Sequence, residues 1–155
     1  MQYSIYYINS SLYIYYIIEN DYCIFISGFN EPLPESKEPF QYHSYHANFD
    51  QYFCENQPLD IPYIITGTPF EQKVHNELLK IPYGKTVTYQ YIAKMINRPN
   101  SARAVANAIG KNQLPILIPC HRVIRSDGSM GGYKYGSDMK KWLLKHEKNN
   151  IISRN

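Results

Sequence analysis

Cysteine is scarce in this chain: Cys23, Cys54 and Cys120 are the three among 155 residues, with no CxxC pair and no HxxxH or HExxH. Thiols so few and scattered exclude a disulfide framework and suit a reducing, cytoplasmic compartment (nuclear in a eukaryote). Cys23, Cys54, His43 and His46 would have to converge to hold an ion, and their spacing resembles no zinc motif, so neither metal nor cofactor is expected. Long apolar runs are missing too. Leu12 to Ile18 is far short of the ~20 residues of a membrane span, and no basic leader precedes it, so no membrane partner is expected. Positive charge is nearly absent from residues 1–65, where Lys37 stands alone against eight carboxylates for a net −7. Residues 66–155 carry +10, which hides inside an overall +3. Such asymmetry marks a polyanion-binding half joined to something else, or only a solvated basic surface.

What is present divides the chain in two. Residues 1–65 hold eleven of the sixteen tyrosines. Gln2–Tyr7, Leu12–Ile18 and Cys23–Ile26 read as strands around Asn9-Ser10-Ser11 and Asn20-Asp21 turns, an antiparallel meander. Pro32, Pro34 and Pro39 mark a loop, and Tyr42–Phe53 a short helix over one sheet face. From Thr66 the apolar period lengthens from two to about 3.6. Thr68-Pro69-Phe70-Glu71 is a helix start with a capping box. Phe70, Val74 and Leu78 form its stripe, and Ile81-Pro82-Tyr83-Gly84 stops it. Thr88 caps a second helix, Tyr89–Ile96. Asn100 or Ser101 caps a third, Ala102–Ile109, with Gly110 expected at the left-handed exit position. The last two helices and their tight turn read as helix-turn-helix. The small side chains of Ala102, Ala104, Ala106 and Ala108 allow close approach to another surface, with Arg103 in the first turn and Lys111 after the end. An alanine-rich helix also packs well against a neighbour; the +10 charge favours DNA. A final helix from Ser137 or Asp138 should place Met139, Trp142, Leu143 and His146 on one side, with Glu147 near its end and a polar, fraying tail from Lys148. The expected fold is α+β: a small antiparallel-sheet domain (1–65), then a mostly α, winged helix-turn-helix-like domain (66–150).

Ile116-Leu117-Ile118-Pro119-Cys120-His121-Arg122-Val123-Ile124 is an apolar run broken by three polar residues. Strand-like flanks should hold the trio rigidly. A thiol beside an imidazole and a guanidinium is where a thiolate can be stabilised. By itself, a cysteine in an apolar run such as Cys120 is more often a small, inert buried hydrophobe than a nucleophile.

An ordered set of motifs goes further. Thr68-Pro69-Phe70, Ile81-Pro82-Tyr83-Gly84, Thr88-Tyr89, Arg103-Ala104-Val105, Asn112, Pro115, Pro119-Cys120-His121-Arg122-Val123, Gly132-Tyr133 and Trp142-Leu143-Leu144 together resemble the O6-alkylguanine-DNA alkyltransferases. The resemblance covers residues 66–147; the first 65 match only in strand pattern. It implies that Cys120 accepts the alkyl group from O6 of a flipped-out guanine, irreversibly and once per molecule, with O4-alkylthymine as a second substrate. It implies a relay of thiol, water, His121 and Glu147, since a free thiol has a pKa of about 8.5. Tyr89 would donate to the leaving base and Asn112 would brace the cysteine loop. Tyr133, Gly132, Val123 and Pro115 would line the base pocket, with the carbonyls of Cys120 and Val123 reading the guanine amino group. Arg103 would fill the gap left by the extruded base, while Ala102, Ala104, Ala106, Lys111 and Thr88 meet double-stranded DNA in the minor groove. The protein would act as a monomer.

Two departures stand out. Lys134-Tyr135-Gly136 follows Tyr133 where some relatives carry small residues, so Tyr135 bears on pocket width. Gln113 stands where proline is frequent. Two other readings compete: a non-enzymatic sensor or winged-helix DNA binder, although sensing relatives lack the cysteine, and a cysteine hydrolase, disfavoured because His121 adjoins the nucleophile in sequence.

Overall fold

A computed structural model of the chain describes residues 1–35 and 45–154. In chain order the elements are β1 (Gln2–Tyr7), β2 (Tyr13–Glu19), β3 (Tyr22–Ile26), α1 (His46–Phe53), α2 (Pro69–Leu78), β4 (Val87–Thr88), α3 (Tyr89–Met95), α4 (Ala102–Ile109), a 3-10 turn (Cys120–Arg122), β5 (Val123–Ile124) and α5 (Ser137–Arg154). They form an α+β protein of two compact units. One holds Met1–Ile64 with Gln113–Leu117; the other holds Ile65–Asn112 with Ile118–Asn155. The boundary near Ile65 is thus crossed by one short excursion of the chain.

In the first unit, β1, β2 and β3 make an antiparallel meander. Asn9 sets the first turn by accepting from the backbone N–H of Ser11 (2.8 Å) and Leu12 (2.9 Å). Asn20 (φ 50°) and Asp21 (φ 67°) form the second as a two-residue loop with both residues left-handed, the geometry that matches strand twist. Period-two patterning buries Ser4, Tyr6, Ile14, Tyr16 and Ile18 on one face. There α1 covers them: Tyr6 stacks on Phe49 and Phe53, and Tyr16 lies against Phe49. His46 spends both ring nitrogens here, one on the Tyr16 hydroxyl (2.8 Å) and one on the Ile5 carbonyl (2.7 Å). The N-terminal part of the helix expected over Tyr42–Phe53 lies outside the described residues, as does His43. Among the described residues no three His, Cys, Asp or Glu side chains cluster as metal ligands, and no helix is long and apolar enough to cross a membrane.

In the second unit, local signals act where the sequence puts them. Thr68 accepts from the Glu71 N–H (3.2 Å), and Glu71 accepts from the Thr68 N–H (3.1 Å), so two orphan donors at the start of α2 are satisfied. Thr88 caps α3 by accepting from Tyr91 N–H (3.0 Å). Asn97 (φ 60°) turns the chain toward α4. His75, buried on α2, donates to the Ala108 carbonyl of α4 (2.8 Å) and ties these helices together. The pairing of β4 with β5 is parallel, Val87 with Val123 and Thr88 with Ile124.

Four local expectations are corrected. Ser101 occupies the N-cap position of α4 without a side-chain hydrogen bond. Gly110 ends α4 at φ −63°, because the chain continues right-handed: Lys111 N–H and Asn112 N–H still donate to the Ala108 and Ile109 carbonyls. The apolar stretch before Cys120 is a turn rather than a strand. Pro115 and Pro119 have no N–H to give a ladder, and Ile116 sits at φ 75°, a strained value for a β-branched residue. Finally, α5 extends as helix past Lys148 to Arg154, with no Gly or Pro to interrupt it. Its buried stripe is Met139, Lys140, Leu143 and Glu147; Trp142 and His146 stack on each other half-buried.

Candidate active site

Pro119 (φ −78°, ψ 63°) makes an inverse γ-turn that folds the Cys120 N–H back onto the Ile118 carbonyl (2.7 Å). The following 3-10 turn gives Cys120, His121 and Arg122 three different directions before β5 begins. Asn112 fixes the thiol: its side-chain amide donates to Cys120 Sγ (3.1 Å) and to the Ile118 carbonyl (2.9 Å). The thiol in turn lies 3.6 Å from the Tyr133 hydroxyl. Only 2% of Cys120 is exposed. Burial pushes its pKa up, against the pull of the Tyr133 and Asn112 hydrogen bonds and the Lys140 charge.

His121 is wholly buried and donates from Nε2 to Glu147 Oε1 at 2.7 Å. The carboxylate acceptor places the proton on Nε2, which leaves Nδ1 as a lone-pair acceptor in the neutral ring. Nδ1 has no hydrogen-bond partner among the described residues. Burial lowers the imidazole pKa, although Glu147 opposes it, so the ring is poised neutral. Burial also works to raise the Glu147 pKa, but its hydrogen bonds and charge pairing with His121 and Arg122 prevail and hold the carboxyl well below the usual range. Arg122 clamps that carboxylate with two prongs, Nε to Oε2 (2.9 Å) and Nη2 to Oε1 (2.8 Å). Its remaining arm reaches the Ile81 carbonyl (2.9 Å), its face covers the Tyr83 ring, and Gly84 N–H adds a bond to Oε2 (3.2 Å). Arg122 is therefore a brace for the histidine's partner.

Cys120 opens into a cavity of about 170 Å³, lined also by Tyr89, Ala106, Ile109, Gly110, Gly132, Tyr133, Lys134 and Tyr135. That is small for a ligand cavity. Tyr89 enters from the first turn of α3, half-buried, its phenol pKa raised chiefly by burial. Gly131 makes space for it: φ is +73°, and a Cβ there would lie 3.1 Å from the Tyr89 hydroxyl. Two expected wall residues are elsewhere. Val123 is buried in β5 with its carbonyl taken by Lys140 Nζ (2.7 Å), and Pro115 is buried in the excursion that groups with the first unit.

Lys140 joins the site although no motif in the sequence marks it. It is 1% exposed, and its ammonium also donates to the Met130 and Gly132 carbonyls, so it pins the loop that carries Gly132 and Tyr133. It lies 5.9 Å from the Tyr89 ring and 5.8 Å from the Tyr133 ring. Burial lowers its pKa to about 8, with the nearby Cys120 opposing. One signal was available: Lys140 falls on the helical stripe of Leu143 and Glu147, where a surface lysine does not belong.

On α4, Arg103 and Ala104 are exposed, as is Lys111 beyond its end, while Ala102 and Ala106 are half-buried. Thr88 is half-buried with its hydroxyl spent on capping α3. Chemically, a buried thiol and a phenol face one cavity, and the same unit supplies a neutral base held by an ionised carboxylate and a buried ammonium. This suits a nucleophilic displacement on a small bound group.

The profile of the 6-O-methylguanine DNA methyltransferase DNA binding domain matches residues 69–149. A probable methylated-DNA–protein-cysteine methyltransferase of Acanthamoeba polyphaga mimivirus is 45% identical over 108 residues, 70% of this chain and 68% of the relative. The bifunctional transcriptional activator/DNA repair enzyme Ada of Escherichia coli is 48% identical over 93 residues, 60% of this chain, but the match spans only 26% of Ada. Among solved structures, Mycobacterium tuberculosis OGT in complex with DNA superposes with a TM-score of 0.79 at 30% identity, covering 96% of this chain and 94% of that one.

Proposed function

The chain belongs to the 6-O-methylguanine DNA methyltransferase family, and from that membership we propose that it repairs DNA by moving the alkyl group of O6-alkylguanine, or of O4-alkylthymine, irreversibly onto Cys120. The observation that carries this is the convergence on one cavity of Cys120, Tyr89 and Tyr133, with the unpaired Nδ1 of His121 backed by Glu147.

The steps follow from the groups in place. Through a bridging water, His121 Nδ1 takes the thiol proton, and Glu147 stabilises the imidazolium that forms. Asn112, Tyr133 and Lys140 hold the thiolate, offsetting the burial that otherwise keeps the thiol protonated. The sulfur attacks the alkyl carbon in line; the S–C bond forms as the C–O6 bond breaks and its electron pair stays with the base. Tyr89 donates to the leaving base, which gains a proton where the thiol loses one. The product is a thioether with no route back to the thiol, so each molecule acts once.

The target base lies in duplex DNA, so it must leave the stack to reach Cys120, at a cost of a few kcal/mol. Arg103, exposed on α4, fills the vacated place, while Ala104 and its neighbours let the helix enter the minor groove. Lys111 and the basic charge of residues 66–155 supply phosphate contacts, and one molecule serves one lesion. Residues 66–150 thus carry DNA binding and transfer, with residues 1–65 as the supporting domain. Retention of Cys120 beside an assembled relay favours repair over mere sensing of damage.

Incubation with duplex containing O6-methylguanine should add one methyl mass, once per molecule, to the peptide carrying Cys120. A Cys120→Ala variant that still cleared the lesion would sink the proposal.

A further inference from the structure

Tyr89 enters the cavity next to a cation that the transfer steps above leave unused. Gly131, at φ +73°, adjoins both side chains: a Cβ there would stand 3.1 Å from the Tyr89 hydroxyl and 3.4 Å from Arg125 Cγ. The phenol oxygen and the Arg125 stem thus meet around one glycine. Arg125 is exposed and lies just past β5, in a turn that holds its main chain at both ends. Its N–H donates to the Ser129 carbonyl (2.9 Å), and its carbonyl accepts from the Gly128 N–H (3.0 Å). The carboxylate of that turn, Asp127, accepts from the Ser129 N–H (2.9 Å) and hydroxyl (2.6 Å). Among the described residues no carboxylate forms an ion pair with Arg125. Two other titratable groups stand near the phenol: Lys140 of α5, 5.9 Å from its ring centroid, and Cys120, which opens into the same cavity. Burial raises the Tyr89 pKa; of the nearby charges Arg125 acts most strongly and lowers it, while Cys120 raises it.

We infer that Arg125 is a positioning residue for the transfer step: alongside Gly131 it sets a positive charge near the Tyr89 hydroxyl, so that the phenol gives its proton more readily to the departing base. The inference rests on the proposed alkyl transfer and deepens it. As the C–O6 bond breaks, its electron pair stays on the base, and the Tyr89 proton moves to that base. Negative charge grows on the phenol oxygen, and a cation beside it lowers the energy of that charge. After the base departs, solvent returns a proton to Tyr89 and the His121 imidazolium releases the one it took from the thiol. Duplex lying over the cavity mouth excludes water and strengthens the effect. Chemistry at Cys120 that expels a stable anion needs no such donor.

Arg125→Gln removes the charge and Arg125→Lys keeps it; the side chain is exposed, so thermal melts should match wild type. In single-turnover assays at saturating O6-methylguanine duplex, Arg125→Gln should slow methyl transfer to Cys120 roughly tenfold, and Arg125→Lys should restore most of the rate. In a Tyr89→Phe background the same Arg125→Gln change should alter the rate by less than about twofold, because the charge has no phenol to act on. Iodoacetamide labelling of Cys120 should be unaltered, since iodide leaves without a proton. A phosphate contact would instead slow both backgrounds alike or weaken duplex affinity alone, and either result would overturn the inference. So would equal slowing of the iodoacetamide reaction, which would mean that the charge acts on the thiol. A readout free of transfer puts 3-fluorotyrosine in place of tyrosine and identifies the Tyr89 fluorine signal by its loss in Tyr89→Phe. The midpoint of its titration should rise by roughly half a pH unit in Arg125→Gln. A wild-type chain that took no methyl from duplex would refute the repair function, while this titration would still report on Arg125. An unmoved midpoint would overturn the inference.

Discussion

Glu147 Oε1 accepts from two neighbours in sequence at once, His121 Nε2 at 2.7 Å and Arg122 Nη2 at 2.8 Å. A single carboxylate on α5 thereby sets the tautomer of the base and neutralises the guanidinium next to it. The pairing is almost wholly buried, so removing one partner leaves the other poorly compensated.

Glu147→Gln should therefore lower stability by about 3–5 kcal/mol, the cost of leaving a buried charge without its partner. Urea titration of wild type and variant measures this. The variant should also label Cys120 more slowly at neutral pH, because a neutral amide does not stabilise the imidazolium that forms when His121 takes the thiol proton.

Acid should destabilise the fold in two stages. The His121 pKa is lowered in the fold, so the unfolded chain binds the proton first and stability falls as pH drops below the ordinary histidine value of 6.5. Glu147 is also lowered, so the stability it contributes is present above its ordinary 4.5 and is lost as pH falls below that value. Denaturant midpoints between pH 8 and pH 3 should fall through both windows. A flat profile from 6.5 to 5 would contradict the buried neutral histidine.

Lys140→Met should cost about 1.5–3 kcal/mol, since its charged hydrogen bonds to the Val123, Met130 and Gly132 carbonyls are lost. It should also move the pH profile of Cys120 labelling by iodoacetamide to higher pH, because the ammonium that favours the thiolate is gone. The wild-type advantage should shrink as pH rises through about 8, where Lys140 itself loses its proton.

Tyr89→Phe should slow alkyl transfer roughly 100-fold, the lower end of what a positioned proton donor contributes. Duplex affinity should stay nearly intact, since the half-buried phenol faces the cavity. Single-turnover labelling beside a binding titration separates the two effects.

Arg103→Ala should weaken binding to lesion-bearing duplex more than binding to undamaged duplex, by roughly tenfold in the ratio, because filling the extruded base's place offsets a few kcal/mol of unstacking. Equal losses on both duplexes would mean that Arg103 serves only as a phosphate contact. The titrations need one fixed salt concentration, as phosphate contacts weaken steeply with salt.

How much of this was legible in the sequence depends on range. The Thr68–Glu71 capping box, the Thr88 cap, the Asn20-Asp21 hairpin and the helix-turn-helix are set by residues two or three apart, whose hydrogen bonds depend on local backbone geometry alone. Motif order likewise carried Cys120, His121, Tyr89 and Asn112, because chemistry requires those side chains whatever surrounds them. Glu147 was named from resemblance, but its contact is made across 26 residues and is set by how α5 packs. The same packing buries Lys140 and brings its ammonium to the Val123 and Met130 carbonyls, partners that the helical period does not name. Tyr135 was read as bearing on pocket width, but the hydrogen bond from its hydroxyl to the Asn112 carbonyl spans 23 residues and is set by packing. The apolar run before Cys120 misled for the same reason. Period and hydrophobicity say strand, yet two prolines and a left-handed Ile116 fold it into a turn that only the surrounding structure can hold. Sequence determined which groups this protein owns and the short-range turns that present them. Tertiary packing decided which of them meet, because burial and partners, not identity, set the charge and reach of each side chain.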